Sequence, residues 1–253
     1  MYETTTNNSD TQIDVSAFID QRNQQFINNA KAQLKNLDQY STEALEWLMM
    51  EHYQFSFRNT KFLADAAELA GSFDTDAVKK ELIRNHAEEN GHAAIYKKAL
   101  KKIGIDIDTR TEFPSTTHFL DTIGEIVGRE PSTVLGAMFA TETAAIFEHE
   151  VFLDISNEVL KRRKLEEEGK KLVWFHEMHL SGVEQSHRDE LGVFLQGLPL
   201  DKTVVEKDGE RPTINTQQAL TGAELAIEAM TKWWADLLDQ IRAASKTRDF
   251  ATA

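Results

Sequence analysis

Residues 84–92 read Arg84-Asn85-His86-Ala87-Glu88-Glu89-Asn90-Gly91-His92, and residues 179–187 read His179-Leu180-Ser181-Gly182-Val183-Glu184-Gln185-Ser186-His187. Each stretch ends in Glu-x-x-His. On a helix of about 3.6 residues per turn, positions i and i+3 project from one face, so each pair can reach one cation. A lone glutamate precedes each pair, Glu51 before the first and Glu142 before the second. The order Glu, Glu-x-x-His, Glu, Glu-x-x-His reads as a ligand set for two metal ions contributed by neighbouring helices. Carboxylates and imidazoles without thiolate suit iron or manganese, and two irons are the favoured reading.

The surroundings of these carboxylates support it. Glu142 shares a helical face with Leu135, Met138, Phe139, Ala145 and Ile146, and Glu51 lies between Leu48 and Phe55. A buried carboxylate needs a cation, a hydrogen-bond network or a proton. The alternative is a set of internal salt bridges or partly exposed helix edges. Glu88 competes with Glu89 for the first pair, because i to i+4 also reaches His92; symmetry with Glu184 favours Glu89. His179 precedes Glu184 by five residues, one too many for an undistorted helical face. Gly182 offers a place for a π-turn to absorb the extra residue, which would make His179 a third histidine ligand, with His176 as the alternate. His52, His86 and His149 are expected to pack or hydrogen-bond, and His118 to lie at a helix start or the surface. Tyr53, Tyr96 and Arg58 fall on helices beside the proposed centre. Their catalytic reading is a tyrosine that tunes the oxidant and an arginine, Arg58 or Arg84, that clamps a substrate carboxylate.

Composition bounds the rest. The 253 residues include 12 glycines, 4 prolines and no cysteine, with a net charge of −14. So few helix breakers among long Ala-, Leu-, Glu- and Lys-rich runs predict an all-α fold. The length suits a single domain, here residues 13–245 after a disordered tail at 1–12. Without cysteine there are no disulfides, iron-sulfur clusters or thiol nucleophiles. The negative charge disfavours nucleic acid and anionic membranes as partners. No apolar run is long enough to span a bilayer and no leader is evident at the start, so a cytoplasmic location is expected.

Apolar periodicity predicts helices over about 15–37, 42–70, 74–104, 117–127, 131–160, 167–196 and 216–244, with a loop at 105–115, an irregular stretch at 200–215, and Gly197 and Pro199 ending the sixth. Adjacent Trp233 and Trp234 cannot share a helix face, so one could cover the core and the other a partner subunit in a homodimer.

These motifs resemble the haem-oxygenase-like di-iron oxidases, which include CADD-like proteins, the UndA fatty-acid decarboxylases and the N-oxygenating domain of SznF. The resemblance covers about residues 42–196 and rests on Glu51-His52-Tyr53-Gln54-Phe55-Ser56-Phe57, the 84–92 stretch, Ala140-Thr141-Glu142, and His179 through Glu184 to His187. The family's last metal helix usually reads His-x-x-x-Asp-x-x-His; this chain has one residue more, and Glu for Asp. Its thiaminase-type relatives depend on a cysteine that this chain lacks. The resemblance implies a haem-oxygenase-like bundle of about seven helices, with a ferritin-like four-helix bundle as the rival. It also implies an enzyme with two ferrous ions that uses dioxygen, and where needed an electron donor, to oxidise a small carboxylate-bearing metabolite such as an amino- or fatty-acid derivative. Desaturation, C–C cleavage and N-oxygenation are the expected outcomes. An iron-binding ferroxidase and a metal-free helical interaction protein are the readings from other classes.

Overall fold

Helix α6, Pro131–Arg163, forms the spine of the bundle, because its Val, Leu, Phe, Ile and Ala side chains are buried over most of its circumference. A computed structural model of the chain describes residues 14–196 and 213–249. Packed around the spine are α1 (Val15–Leu34), α2 (Thr42–Ala70), α5 (Pro114–Val127), α7 (Lys170–Met178), α8 (Glu184–Val193) and α9 (Thr216–Asp249), while α3 (Ala77–Glu89) and α4 (His92–Lys102) pack on α2. The described residues contain no strand beyond an isolated bridge position at Asp14, and the expected all-α architecture is present. The expected tail, Gly197, Pro199 and most of the 200–215 stretch lie outside the described residues.

Local chemistry sets several boundaries. Ser41 caps α2 by accepting a hydrogen bond from Ala44 N, and Asp14 caps α1 through Ser16 N. Pro114 and Pro131 stand in the first turns of α5 and α6, where a missing N–H costs nothing. Helix α1 stops at Leu34 rather than 37, giving way to a 3-10 turn at Leu37–Gln39.

Two helices expected to be continuous are broken, and both breaks lie at the ligand motifs. The 74–104 helix divides at Asn90 and Gly91 into α3 and α4, with Gly91 at φ +101°. Glu89 therefore ends one helix and His92 begins the next, so the first Glu-x-x-His pair straddles a turn rather than riding one helical face. The 167–196 helix contains the π-turn that the His179 spacing predicts, over His179–Val183, with Gly182 at φ +112°. Glycine suits both positions because a Cβ at such φ meets the backbone. Counting α3–α4 and α7–α8 as one helix each recovers the expected seven.

Both indoles of α9 are buried within the chain. Trp233 Nε1 donates to Thr116 Oγ1 of α5 at 2.9 Å, and Trp234 Nε1 donates to Glu148 Oε1 of α6 at 2.9 Å. Adjacent side chains do diverge, but α9 lies between two helices and each indole finds its own. This removes the argument for a homodimer drawn from the tryptophans. No helix among the described residues is long and apolar enough to cross a membrane.

Candidate metal centre

The breaks at Gly91 and Gly182 bring the ends of α3, α4, α7 and α8 against the middle of α6. Seven donor residues meet there: Glu89, His92, Glu142, His149, His179, Glu184 and His187. Three overlapping groups, Glu89/His92/His179, His149/His179/Glu184 and Glu89/Glu184/His187, each have one donor atom per residue lying within 4.8 Å of the others. Glu89, His179 and Glu184 each belong to two of the groups, so adjacent groups have donors in common.

The distances tie the groups together. Glu89 Oε2 lies 2.9 Å from His92 Nδ1, which lies 3.0 Å from His179 Nε2. His179 Nε2 is 3.8 Å and His149 Nε2 is 3.6 Å from Glu184 Oε1, and the His149 and His179 rings stack at 3.9 Å. His187 Nδ1 faces Glu142 Oε2 at 3.6 Å, Glu184 Oε2 at 3.8 Å and Glu89 Oε1 at 3.9 Å. Apart from His92, which is partly exposed, the donors are buried.

Outer contacts fix which nitrogen of each ring faces inward. The Phe175 carbonyl can only accept, so His179 Nδ1 donates to it at 2.6 Å and Nε2 is left with its lone pair toward the cluster. His187 Nε2 pairs with Glu88 Oε2 at 2.9 Å, which turns Nδ1 inward, and Arg84 Nη1 holds Glu88 at 2.8 Å. Glu89 is thus the inward carboxylate of the pair and Glu88 the outer one. His176 stands behind His149, with their Nδ1 atoms 3.1 Å apart, and does not enter any donor group.

Burial and mutual charge set the protonation of the cluster. Burial pushes the Glu184 carboxyl up to about 8, with Glu142 and Glu89 adding to the push against the pull of His187. Burial alone would lower His187, but the facing Glu142 and Glu184 carboxylates lift it to about 11. His179 is lowered to about 4, chiefly by burial, and burial with neighbouring imidazoles takes His149 and His176 well below the usual histidine range. Burial raises Glu89, yet His92, His179 and His187 bring it below the ordinary carboxylate value. Near neutral pH the metal-free cluster therefore retains protons on Glu184 and His187, and a bound cation would take their place. Glu89 Oε1 and His187 Nδ1 are buried with no hydrogen-bond partner among the described residues. Inward imidazole nitrogens, shared carboxylates and unpaired buried atoms fit bound metal ions.

Glu51 is not part of this constellation. It is fully buried, but Arg110 Nε and Nη2 grip its two oxygens at 2.6 Å each, and Thr116 Oγ1 donates to Oε2 at 2.6 Å. The apolar neighbours that marked it as a ligand mark instead a neutralised salt bridge tying α2 to α5 and the loop before it. Arg110 comes from a loop 59 residues away, so nothing in the local sequence signals it.

The residues expected to be catalytic are also displaced from the donors. Tyr96 is buried behind the cluster, stacked on Phe175 at 4.8 Å with its hydroxyl 3.4 Å from Met49 O, and burial raises its pKa. Tyr53 stacks on Phe57 at 6.0 Å, with burial raising its pKa, while Arg58 lies 3.9 Å from Asp121 and is largely at the surface. Arg84 is occupied by Glu81, Glu88 and Glu190. His149, expected to pack, is a donor; its spacing of seven from Glu142, two turns of one face, was the available signal.

A cavity of about 30 Å³ opens over the cluster, bordered on the α2 side by Phe55, Ser56 and Asn59. That is room for one molecule the size of water. A groove of about 870 Å³ between α1 and α6 carries none of the donors.

No family model and no curated protein matches the chain. Among solved structures, a CADD-like protein of unknown function from Nostoc punctiforme superposes with a TM-score of 0.70 at 21% identity, covering 90% of this chain and 96% of that one. The fold is haem-oxygenase-like. That assignment is supported by a domain of unknown function with a heme oxygenase-like fold from Shewanella denitrificans, with a TM-score of 0.58 at 16% identity over 89% of both chains. A TenA homolog from Pseudomonas syringae is similar as well, with a TM-score of 0.61 at 11% identity over 94% of this chain and 99% of that one. This haem-oxygenase-like bundle, rather than the ferritin-like alternative, frames the donors.

Two predictions follow from the geometry. Glu51→Ala strands the largely buried Arg110 charge and should cost about 3 kcal/mol in urea unfolding while leaving metal content unchanged; Glu184→Ala should abolish metal loading. For the metal-free protein, Glu184 is raised from 4.5 to about 8 and His187 from 6.5 to about 11, so above about pH 7 the folded state holds protons that the unfolded state has released. His149, His176 and His179, all lowered from 6.5, act with the opposite sign, but only up to about pH 7, where the unfolded histidines lose their protons. Stability of the metal-free protein should therefore fall from about pH 7 to 8, as thermal unfolding would record, and the fall should be much reduced with metal bound.

Proposed function

We propose that this protein is a non-haem di-iron oxidase or oxygenase acting on a small carboxylate-bearing metabolite, an amino- or fatty-acid derivative. The observation that carries the reading is the convergence of four buried or near-buried imidazoles and three carboxylates into donor groups that share Glu89, His179 and Glu184. Bound irons would supply dioxygen binding and the electrons for its reduction. The chain's own part is to orient and to exclude. Phe175 O and Glu88 hold the outer nitrogens of His179 and His187, which turns the other two inward, and an aromatic wall of Tyr96, Phe175 and Phe152 keeps bulk water from the back of the site.

The cavity over the donors suits dioxygen, and the organic substrate enters from the α2 side, past Phe55, Ser56 and Asn59. Arg58 is the better carboxylate clamp of the two arginines considered. Its buried Nε has no hydrogen-bond partner among the described residues, whereas Arg84 is taken up by Glu81, Glu88 and Glu190; reaching the cavity requires Arg58 to swing from its place near Asp121. Desaturation, C–C cleavage and N-oxygenation are all compatible with this arrangement.

The test is anaerobic loading with ferrous iron, followed by oxygen-uptake measurements and mass spectrometry with panels of amino and fatty acids. About two irons per chain and substrate-dependent oxygen uptake, both lost in His179→Ala and Glu184→Ala, are expected. Iron loading far beyond two, with no organic product, would replace the oxidase with an iron-storage ferroxidase. Absence of iron binding would leave a helical protein without metal chemistry.

A further inference from the structure

Asn85 is fully buried, and neither its Oδ1 nor its Nδ2 has a hydrogen-bond partner among the described residues. A carboxamide left in that condition costs free energy at both atoms, so a fold that keeps it should have a use for it. Its position is informative. Val78, Leu82, Asn85 and Glu89 form the buried stripe of α3, and Asn85 is the step between the apolar part of that stripe and the donor carboxylate.

The packing of α3 on α8 sets the level at which Asn85 sits. Arg84 pairs with Glu190 and Glu88 pairs with His187, so the two helices run antiparallel, with residue 85 level with the turn that carries His187 and Leu191. His187 and Leu191 are the buried residues of that turn. Side chains of a helix lean toward its N-terminus, so Glu89 leans back over Asn85. The other two unpaired donor atoms of the site, Glu89 Oε1 and His187 Nδ1, are 3.9 Å apart at this same end. Unpaired buried polarity thus recurs on successive turns of the buried stripe of α3, at Asn85 and at Glu89.

The geometry points to Asn85 as a further ligand of the metal centre, its carboxamide oxygen completing the Glu89/Glu184/His187 group. The assignment rests on the metal-binding reading above and extends it to a residue type outside the Glu and His pattern. An amide oxygen is a neutral donor acceptable to divalent cations. It adds coordination at a place where Glu89, Glu142 and Glu184 already supply negative charge. Asparagine in place of a fourth carboxylate keeps the centre from binding additional protons in competition with metal.

The test uses Co²⁺ as the probe, titrated into the metal-free full-length chain with its visible absorption bands as the binding signal, alongside thermal unfolding with and without the ion. Two variants are compared with the unmodified protein, Asn85→Leu and Asn85→Asp. Removing both unpaired atoms with an apolar side chain of similar volume should leave the metal-free protein as stable or more so, while weakening Co²⁺ binding by about 10- to 100-fold and altering the spectrum. Asn85→Asp retains a ligand oxygen and should keep the affinity, at the expense of metal-free stability.

A merely structural asparagine would give the reverse pattern. Asn85→Leu would then destabilise the metal-free protein and keep the Co²⁺ affinity and spectrum, and that result overturns the assignment. If Asn85→Leu does not fold, loss of Co²⁺ binding in a folded Asn85→Asp would overturn it equally. Should the unmodified protein itself fail to bind Co²⁺, the metal-centre reading falls and Asn85 falls with it, an outcome distinct from binding that Asn85 does not influence.

Discussion

The structure depends on neutralising charge that the bundle has buried. Three carboxylates and four imidazoles converge in the middle of an apolar helical assembly, and the Coulomb and desolvation cost of that arrangement is met only if positive charge is present. Without metal, protons meet part of it, on Glu184 and His187. Both departures from regular helix, at Gly91 and in the π-turn at Gly182, serve the same end. Each lets a helix give up hydrogen-bond regularity so that donors on either side of the break reach a common point. The hydrogen bonds to the backs of His179 and His187 then turn the other nitrogen of each ring inward.

The same constraint explains why other buried charges lie elsewhere. Glu51 is satisfied by Arg110 and Thr116, and Trp233 joins that network through Thr116. Glu148 is satisfied by Trp234 and lies 3.5 Å from His52. These two networks attach α9 to α5 and to α6, so the long final helix is fastened by polar contacts as well as by its apolar stripe. A buried carboxylate in this fold is therefore no marker of the centre by itself. What distinguishes the centre is that its carboxylates face imidazoles and one another, with no arginine or lysine of the described residues among them.

Much of the architecture was legible in the sequence because helical period and capping are local properties. The 42–70 helix was read with its true limits, since Ser41 and Gly71 bound it plainly. The π-turn was legible for a comparable reason: His179 and Glu184 are five residues apart with a glycine between them. Glu142, His179, Glu184 and His187 came together as their spacing suggested, and Glu89 and His92 joined them across a turn instead of along one helical face. The errors share a different cause. Glu51 was misread because its partner Arg110 is distant in sequence, His149 was passed over because a buried histidine on an apolar face has many ordinary uses, and the break at Asn90 and Gly91 was hidden by strong helix formers on both sides. Partners that lie far apart in the chain leave no local trace.

The central claim is that this donor cluster holds two cations between α3, α4, α6 and α8. Anomalous diffraction from crystals grown with Mn²⁺ tests it most directly, since it locates each ion without relying on turnover. The account predicts two adjacent peaks, one near His92 and His179 and the other near His187, with Glu89 and Glu184 reaching both. No peak at the cluster, or a peak at Glu51 beside Arg110, would contradict it.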